Sequence, residues 1–465
     1  MIELTLADLA GTVSGVVHGA TDETQIMSGP IVVDSRLASS GSVFIAMRGA
    51  TTDGHEFVQS AIDAGARAII AERELPVDVP VIVVDDSLRA LTDLARDVVA
   101  RVRSRGKLRV VAVTGSNGKT TTKNMLREIL GTAGSVVAPR ESFNNEVGAP
   151  LSMLDITAET DFLVVEMGAS AAGEIARLVA IVCPDIAIVL KVGLAHAGGF
   201  GSIEETQKAK AEIVTQLPGE ATAVLNLDDS RVNAMAGMTR AKVVTFGLSS
   251  DAQVRAEDVA TTTAGTRFTL LIGNERRDVQ LGILGEHNVM NALASIAATR
   301  ELGIETAMAV SALSSMKRAE HWRMELHHAP GDITVINDAY NASPDSMAAA
   351  LKTLAEITRG THRAVAVLGE MAELGEYADE EHDRIGRLAV RLNIDKLIVV
   401  GHEARHIHDA AGLEGSWDGE SVFVEDSNRA YDLLRNELQS GDVVLVKSSN
   451  SAGLRLLGDR IAGVS

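Results

Sequence analysis

Cysteine is nearly missing from this chain of 465 residues: Cys183 stands alone, which excludes an intramolecular disulfide and argues against a thiolate zinc cluster. A reducing compartment fits, and the cytoplasm is expected. Basic charge is also short, with 43 Lys and Arg against 63 Asp and Glu and a formal net charge of -20. Such a surface repels polyanions, so neither nucleic acid nor an anionic membrane is expected as a partner. Long apolar runs are absent too. The most apolar stretch, Val179 to Leu190, is broken by Pro184 and Asp185 and is too short to span a bilayer, so no membrane insertion is expected. The opening residues include Glu3 and Asp8 and lack a basic stretch followed by an apolar core, so they do not read as a signal peptide. No internal repeat or low-complexity tract is visible.

The length exceeds what one hydrophobic core usually serves, so several domains are expected. Short strand-like runs at Gly29 to Val33, Val43 to Met47, Ala68 to Ala71 and Val81 to Val84 read as a small α/β unit over residues 1–105. The basic piece Arg101 to Lys107 is a candidate linker. Residues 106–325 alternate strands and helices, which predicts a mostly parallel sheet covered on both faces, with an antiparallel excursion near 253–284. A second alternation over 326–465 predicts a separate doubly wound domain. The fold class is α/β with three domains.

The sharpest local signal is Arg109-Val-Val-Ala-Val-Thr-Gly-Ser-Asn-Gly-Lys-Thr-Thr-Thr122, an apolar strand that breaks into a glycine loop and reopens as a helix. Backbone amides of Gly115, Ser116, Asn117 and Gly118 can converge on phosphate oxygens there, beside the positive end of the helix. In such a loop Lys119 neutralises the outer phosphates and Thr120, followed by Thr121, offers a hydroxyl to Mg²⁺. ATP is therefore the expected ligand. The spacing is GxxGKT, because position 113 is Val. Glu166 closes the run Phe162 to Glu166 at the sheet edge where ligands dock, so its carboxylate can complete a Mg²⁺ shell. His196 lies in a glycine-rich loop at the same edge and reads equally as a metal or phosphate contact or as an ordinary loop residue. Lys210, taken bare, reads as a solvated helix lysine. Asn288 and Asn291, spaced i, i+3, share a helix face and suit either purine recognition or helix capping. Arg323 and the polar segment Asn337 to Ser346, which contains Asp338, open the last domain as either ligand contacts or a plain loop.

Taken together these strings resemble the Mur ligases of bacterial peptidoglycan synthesis. The likeness runs nearly end to end: Asp34-Ser-Arg36 with Thr52-Asp-Gly-His55, the phosphate loop, Asn144-Asn-Glu-Val-Gly148, Glu166-Met-Gly168, His196 through Gly201, His287-Asn-Val-Met-Asn291, Asn337 to Ser346, and Leu368-Gly-Glu-Met-Ala-Glu-Leu-Gly375. The last two strings discriminate best, and are similar to those of members that attach D-Ala-D-Ala rather than glutamate or a diamino acid. The resemblance implies a UDP-substrate domain, a central ATPase domain and a Rossmann-like domain that closes over the nucleotide. It implies that the carboxylate of UDP-N-acetylmuramoyl-tripeptide attacks ATP to give an acyl phosphate, which the amine of D-Ala-D-Ala then attacks. Lys119, Glu166, His196 and Lys210 would be catalytic. Thr120 and Glu166 would hold one Mg²⁺, and His196 and a carbamylated Lys210 a second. Asn288 and Asn291 would lie near the adenine, and Arg323 and Asp338 would reach the nucleotide from the closing domain. Asp34, Ser35 and Arg36 would face the UDP moiety, with Asn144 and Asn145 also on the substrate side. Small molecules are the expected partners and a monomer the expected state. The chain departs from the commonest strings at Leu190, Lys191 and Leu194, at Ser448 and Asn450 within Lys447-Ser-Ser-Asn450, and at Trp322, where Gly is frequent. A regulatory P-loop NTPase without ligation activity is the rival reading from another class.

Overall fold

The computed structural model describes residues 2–19, 22–49, 51–139, 142–194, 200–316, 320–415 and 420–464. A five-stranded sheet near the N-terminus has the order Val16–His18, Val81–Val83, Ala68–Ala71, Val43–Ile45, Ile31–Val32. It is parallel except for the Val16–His18 edge, which the sequence reading did not include. Helix Ser87–Arg103 follows, capped by the Asp86 carboxylate accepting from the Arg89 amide, and buries Ala90, Leu91, Leu94, Val98 and Val102.

A nine-stranded sheet forms the middle of the molecule. Strand Arg109–Thr114 lies between Phe162–Glu166 and Ile186–Val189, parallel to both, with Glu166 level with Val113. Its side chains feed two cores, Val110 and Ala112 on one face and Val111 and Val113 on the other. Burial of both faces is why this strand is a continuous apolar run rather than an alternating one. The expected antiparallel excursion is present: Val254–Thr262, Gly265–Ile272 and Glu275–Leu281 pair antiparallel and extend the sheet at one edge. Helix Glu286–Glu301 is buried along most of its length.

A six-stranded sheet completes the chain in the order Glu325–Ala329, Ile333–Asn337, Val443–Lys447, Ala364–Leu368, Lys396–Val400, Ser421–Val424. Only the first strand is antiparallel to its neighbour. Asn337 pairs with Val446 and Leu368 with Lys447, so the loops that leave these strands emerge together. Helix Pro344–Thr358 begins from the Asn337–Ser346 segment, with Pro344 in its first turn and Ser343 and Ser346 capping each other's amides. Among the described residues no helix is long and apolar enough to cross a membrane.

Candidate active site

The phosphate loop requires its glycines. Gly115 and Gly118 have φ of 154° and 86°, and a Cβ on Gly118 would stand 2.4 Å from Asn291 Oδ1. Ser116 is locked to the neighbouring strand-end loop, its hydroxyl donating to Gly193 O at 3.0 Å and accepting from Gly193 N at 2.8 Å. Asn117 Oδ1 accepts from Ser343 Oγ at 2.9 Å, across the cleft from the C-terminal sheet. Lys119 donates to Gly115 O at 2.8 Å, and desolvation holds its pKa below the usual lysine value against the pull of Glu166. Thr121 is buried behind it.

Thr120 Oγ1 lies 3.1 and 3.4 Å from the two Glu166 carboxylate oxygens and 3.0 Å from Ser142 Oγ. Glu166 is 1 % exposed and accepts from Asn144 Nδ2 at 2.8 Å. Octahedral Mg²⁺ with bonds of about 2.1 Å sets adjacent ligand oxygens about 3 Å apart. The Thr120 and Glu166 oxygens have that spacing and the right hard-oxygen chemistry, so the pair fits such an ion. Asn145 Oδ1 accepts from Val147 N and Gly148 N and starts the short helix beside it.

Lys210 is not the solvated lysine its bare sequence suggested. On helix Ile203–Thr215 it is 2 % exposed, in the face that buries Thr206, Ala209, Ile213 and Val214. Desolvation first, and then the charge of Lys119, push its pKa down to about 7. Among the described residues it has no hydrogen bond or ion pair. His196 lies outside the described residues.

Asn288 does not cap its helix either, because Gly285 occupies the N-cap. Instead Asn288 Nδ2 donates to Leu284 O at 2.8 Å, Asn291 Nδ2 donates to Asn288 Oδ1 at 3.0 Å, and Asn291 Oδ1 abuts Gly118. The pair thus braces the phosphate loop. His287 beside it, which the sequence reading left without a role, has a pKa pushed down to about 4 by desolvation.

The facing wall comes from the C-terminal sheet. Arg323 lays its guanidinium 4.6 Å from the Tyr340 ring centroid and donates to Ser142 Oγ at 3.4 Å. Asp338 accepts from Met324 N at 3.0 Å and from Lys447 Nζ at 2.6 Å. Lys447, 1 % exposed, also donates to Asn341 O at 3.0 Å. A second cross-cleft link, Lys191 Nζ to Asp345 Oδ1 at 3.0 Å, joins the two sheets' edges. The sequence drew notice to Lys191 and Lys447 only as parts of unusual strings; their pairing is set by contacts between distant strands. These walls enclose a cleft of about 490 Å³ that reaches Ser116 to Thr121, Asn144, Asn145, Glu166, Asn288, Asn291, Arg323 and Asp338. Asn117 Nδ2 and Arg323 Nε are buried in it without a hydrogen-bond partner among the described residues, an arrangement that awaits an acceptor.

Asp34, Ser35 and Arg36 are not in this cleft. They begin a 3-10 turn after Ile31–Val32, where Arg36 clasps Asp34 through Nε at 2.9 Å and Nη2 at 2.6 Å. The hydrogen bonds from Arg36 hold the Asp34 pKa below the usual carboxylate range.

Comparison with known proteins gives consistent matches along the chain. Three family models match: "Mur ligase family, catalytic domain" at residues 30–99, "Mur ligase middle domain" at 113–299, and "Mur ligase, glutamate ligase domain" at 322–450. The UDP-N-acetylmuramoyl-tripeptide--D-alanyl-D-alanine ligase of Mycobacterium tuberculosis is 42% identical, over 99% of this chain and 98% of that protein. The Bacillus subtilis ligase of the same name is 34% identical over 98% and 97%. Among solved structures, MurF from Acinetobacter baumannii superposes with a TM-score of 0.89 at 28% identity, over 99% of both chains. MurF ligase from Thermotoga maritima in complex with ADP gives 0.82 at 30% identity, over 94% of this chain and 98% of that one.

Proposed function

The chain belongs to the Mur ligase family, and from that premise we infer that it is the ATP-dependent ligase that joins D-Ala-D-Ala to UDP-N-acetylmuramoyl-tripeptide in peptidoglycan synthesis. The tripeptide carboxylate attacks the γ-phosphorus of ATP and ADP leaves. The D-Ala-D-Ala amine then attacks the resulting acyl phosphate, forming the amide and releasing phosphate and a proton. The observation that carries this reading is the single cleft in which the phosphate loop and Glu166 face Arg323 and Asp338.

In this cleft the loop amides and Lys119 hold the triphosphate and draw charge from the transferring phosphoryl group. Thr120 and Glu166 hold Mg²⁺, which when bound supplies electrostatic screening between two anions that must meet. Lys210 sits in the same neighbourhood as Lys119, and a pKa of about 7 leaves much of its amine neutral at physiological pH. A neutral amine can add CO₂ with loss of one proton to solvent, so Lys210 would be held as a carbamate, an oxygen anion that with His196 would serve a second Mg²⁺ and add to the screening of the phosphates. Arg323 and Asp338 meet the nucleotide from the closing sheet, and Asn288 and Asn291 hold the loop against the adenine side. Asp34, Ser35 and Arg36 bind the UDP moiety, and Asn144 and Asn145 border the donor peptide. Residues 1–105, 106–325 and 326–465 act as the substrate, ATPase and closing domains of a cytoplasmic monomer.

The test is a phosphate-release assay with ATP, UDP-N-acetylmuramoyl-tripeptide and D-Ala-D-Ala added singly and together, with mass spectrometry of the product. Release that needs both substrates and yields the pentapeptide supports the reading; release indifferent to D-Ala-D-Ala overturns it in favour of a plain NTPase. A light-scattering mass of 49.0 kDa checks the monomer.

A further inference from the structure

The segment that carries Arg323 into the cleft is bent against its own side chains. Trp322 and Met324, on either side of Arg323, have φ of 57° and 48°, in the left-handed region that bulky residues avoid. Two non-glycine residues in that region persist only where surrounding contacts impose it. For Trp322 those contacts are visible. The indole Nε1 donates to Asp459 Oδ2 at 2.8 Å, His321 stacks on the ring at a centroid distance of 4.0 Å, and the Arg455 guanidinium covers it at 5.2 Å.

Asp459 lies on the last helix, Leu454–Ala462, outside the nucleotide cleft. Its other oxygen accepts from Asn337 Nδ2 at 2.9 Å, and Asn337 immediately precedes Asp338. The backbone closes the circuit: Tyr340 N donates to Trp322 O at 3.3 Å and Met324 N to Asp338 Oδ1 at 3.0 Å. The turn holding Arg323 and the strand end holding Asp338 and Tyr340 are therefore tied to one carboxylate at their rear.

We propose that Trp322 and Asp459 are positioning residues for the nucleotide: the indole anchored on the last helix imposes the left-handed turn that sets the Arg323 guanidinium over Tyr340 and into the cleft. The inference rests on the reading above that Arg323 meets the nucleotide. Trp322 is not among the residues that line the cleft; it acts through Arg323. An untethered turn relaxes toward ordinary φ values and carries the guanidinium out of register.

The experiment is calorimetric titration of the full chain with Mg²⁺ and ADP, alongside UDP-N-acetylmuramoyl-tripeptide as a control ligand. Trp322→Phe keeps the ring and removes the N–H; Asp459→Asn leaves a single acceptor for two donors; Arg323→Ala is the reference. Arg323→Ala is expected to weaken ADP about tenfold, and Trp322→Phe and Asp459→Asn about threefold to tenfold. UDP-tripeptide affinity stays at the wild-type value in each. Adding Trp322→Phe to Arg323→Ala should weaken ADP no further, a result that a merely structural tryptophan would not give. Wild-type ADP affinity in both Trp322→Phe and Asp459→Asn, with Arg323→Ala impaired, overturns the inference alone, as does full additivity in the double variant. Wild-type affinity in Arg323→Ala overturns the assignment of Arg323 and this inference with it.

Discussion

Two sheet edges face each other across the cleft, and they treat charge in opposite ways. At the central edge Lys119 leans on a single backbone carbonyl and Lys210, among the described residues, on nothing; both have pKa values lowered by desolvation. At the C-terminal edge Lys447 is as deeply buried as Lys210, yet its ammonium is surrounded by the Asp338 carboxylate and two backbone oxygens. A buried cation without an anion is costly, whereas one with a full set of acceptors fixes geometry. The central edge thus keeps Lys119 ready for a ligand's negative charge, with Lys210 partly neutral at pH 7. The C-terminal edge uses its own cation, Lys447, for internal order.

This contrast can be broken most directly at Lys119. Lys119→Ala should lower turnover about a thousandfold, the loss expected when a preorganised cation is taken from a developing charge, while UDP-tripeptide affinity measured by calorimetry stays near wild type. Near-normal turnover would mean the central edge is not poised for phosphate. At the other edge Lys447→Met should instead cost about 3 kcal/mol of stability, because it leaves the half-buried Asp338 carboxylate without its ionic partner. Denaturant unfolding reads this, and an unchanged midpoint would erase the distinction between the edges.

Lys210→Met sharpens the comparison further, since the two effects should have opposite signs. In CO₂-free buffer the variant should be inactive yet more stable than wild type at pH 7, by about 4 kcal/mol. With the pKa lowered from 10.5 to about 7, the unfolded chain holds a proton that the folded chain lacks between those values. Wild-type stability from this group therefore rises with pH across that window and is lowest below about 7. The advantage of Lys210→Met should shrink toward pH 10, as followed by Tm against pH in both proteins. A pH-independent difference would show that Lys210 is not a desolvated cation. The smallest effect belongs to Ser343→Ala, which removes a helix cap and the hydroxyl that reaches Asn117. It should cost about 1 kcal/mol and modestly raise KM for ATP; an unchanged KM would separate the cap from the cleft.

What was legible in the sequence was whatever depends on neighbours along the chain. The strand, glycine turn and helix from Arg109 to Leu130 follow from local steric and dipolar requirements, and Glu166 could be placed at the sheet edge because a short apolar run ends there. Parallel strands with both faces covered announce themselves as unbroken apolar runs, so the α/β class was readable, and the Asn337 to Ser346 segment carried its helix start in plain turn chemistry.

Tertiary structure decided what each charge and amide meets. Lys210 looks like any helix lysine, because nothing nearby in sequence reports that its face is pressed into the core. Asn288 and Asn291 offer donors to solvent or base on paper, and only the folded turn at Gly285 directs them inward against Gly118. The Lys447–Asp338 and Lys191–Asp345 pairs join residues more than a hundred positions apart, and the indole of Trp322 finds Asp459 only once the last helix has packed on Asn337. Local patterns fix backbone geometry because their energetics are local, whereas desolvation and pairing depend on what the rest of the chain brings alongside.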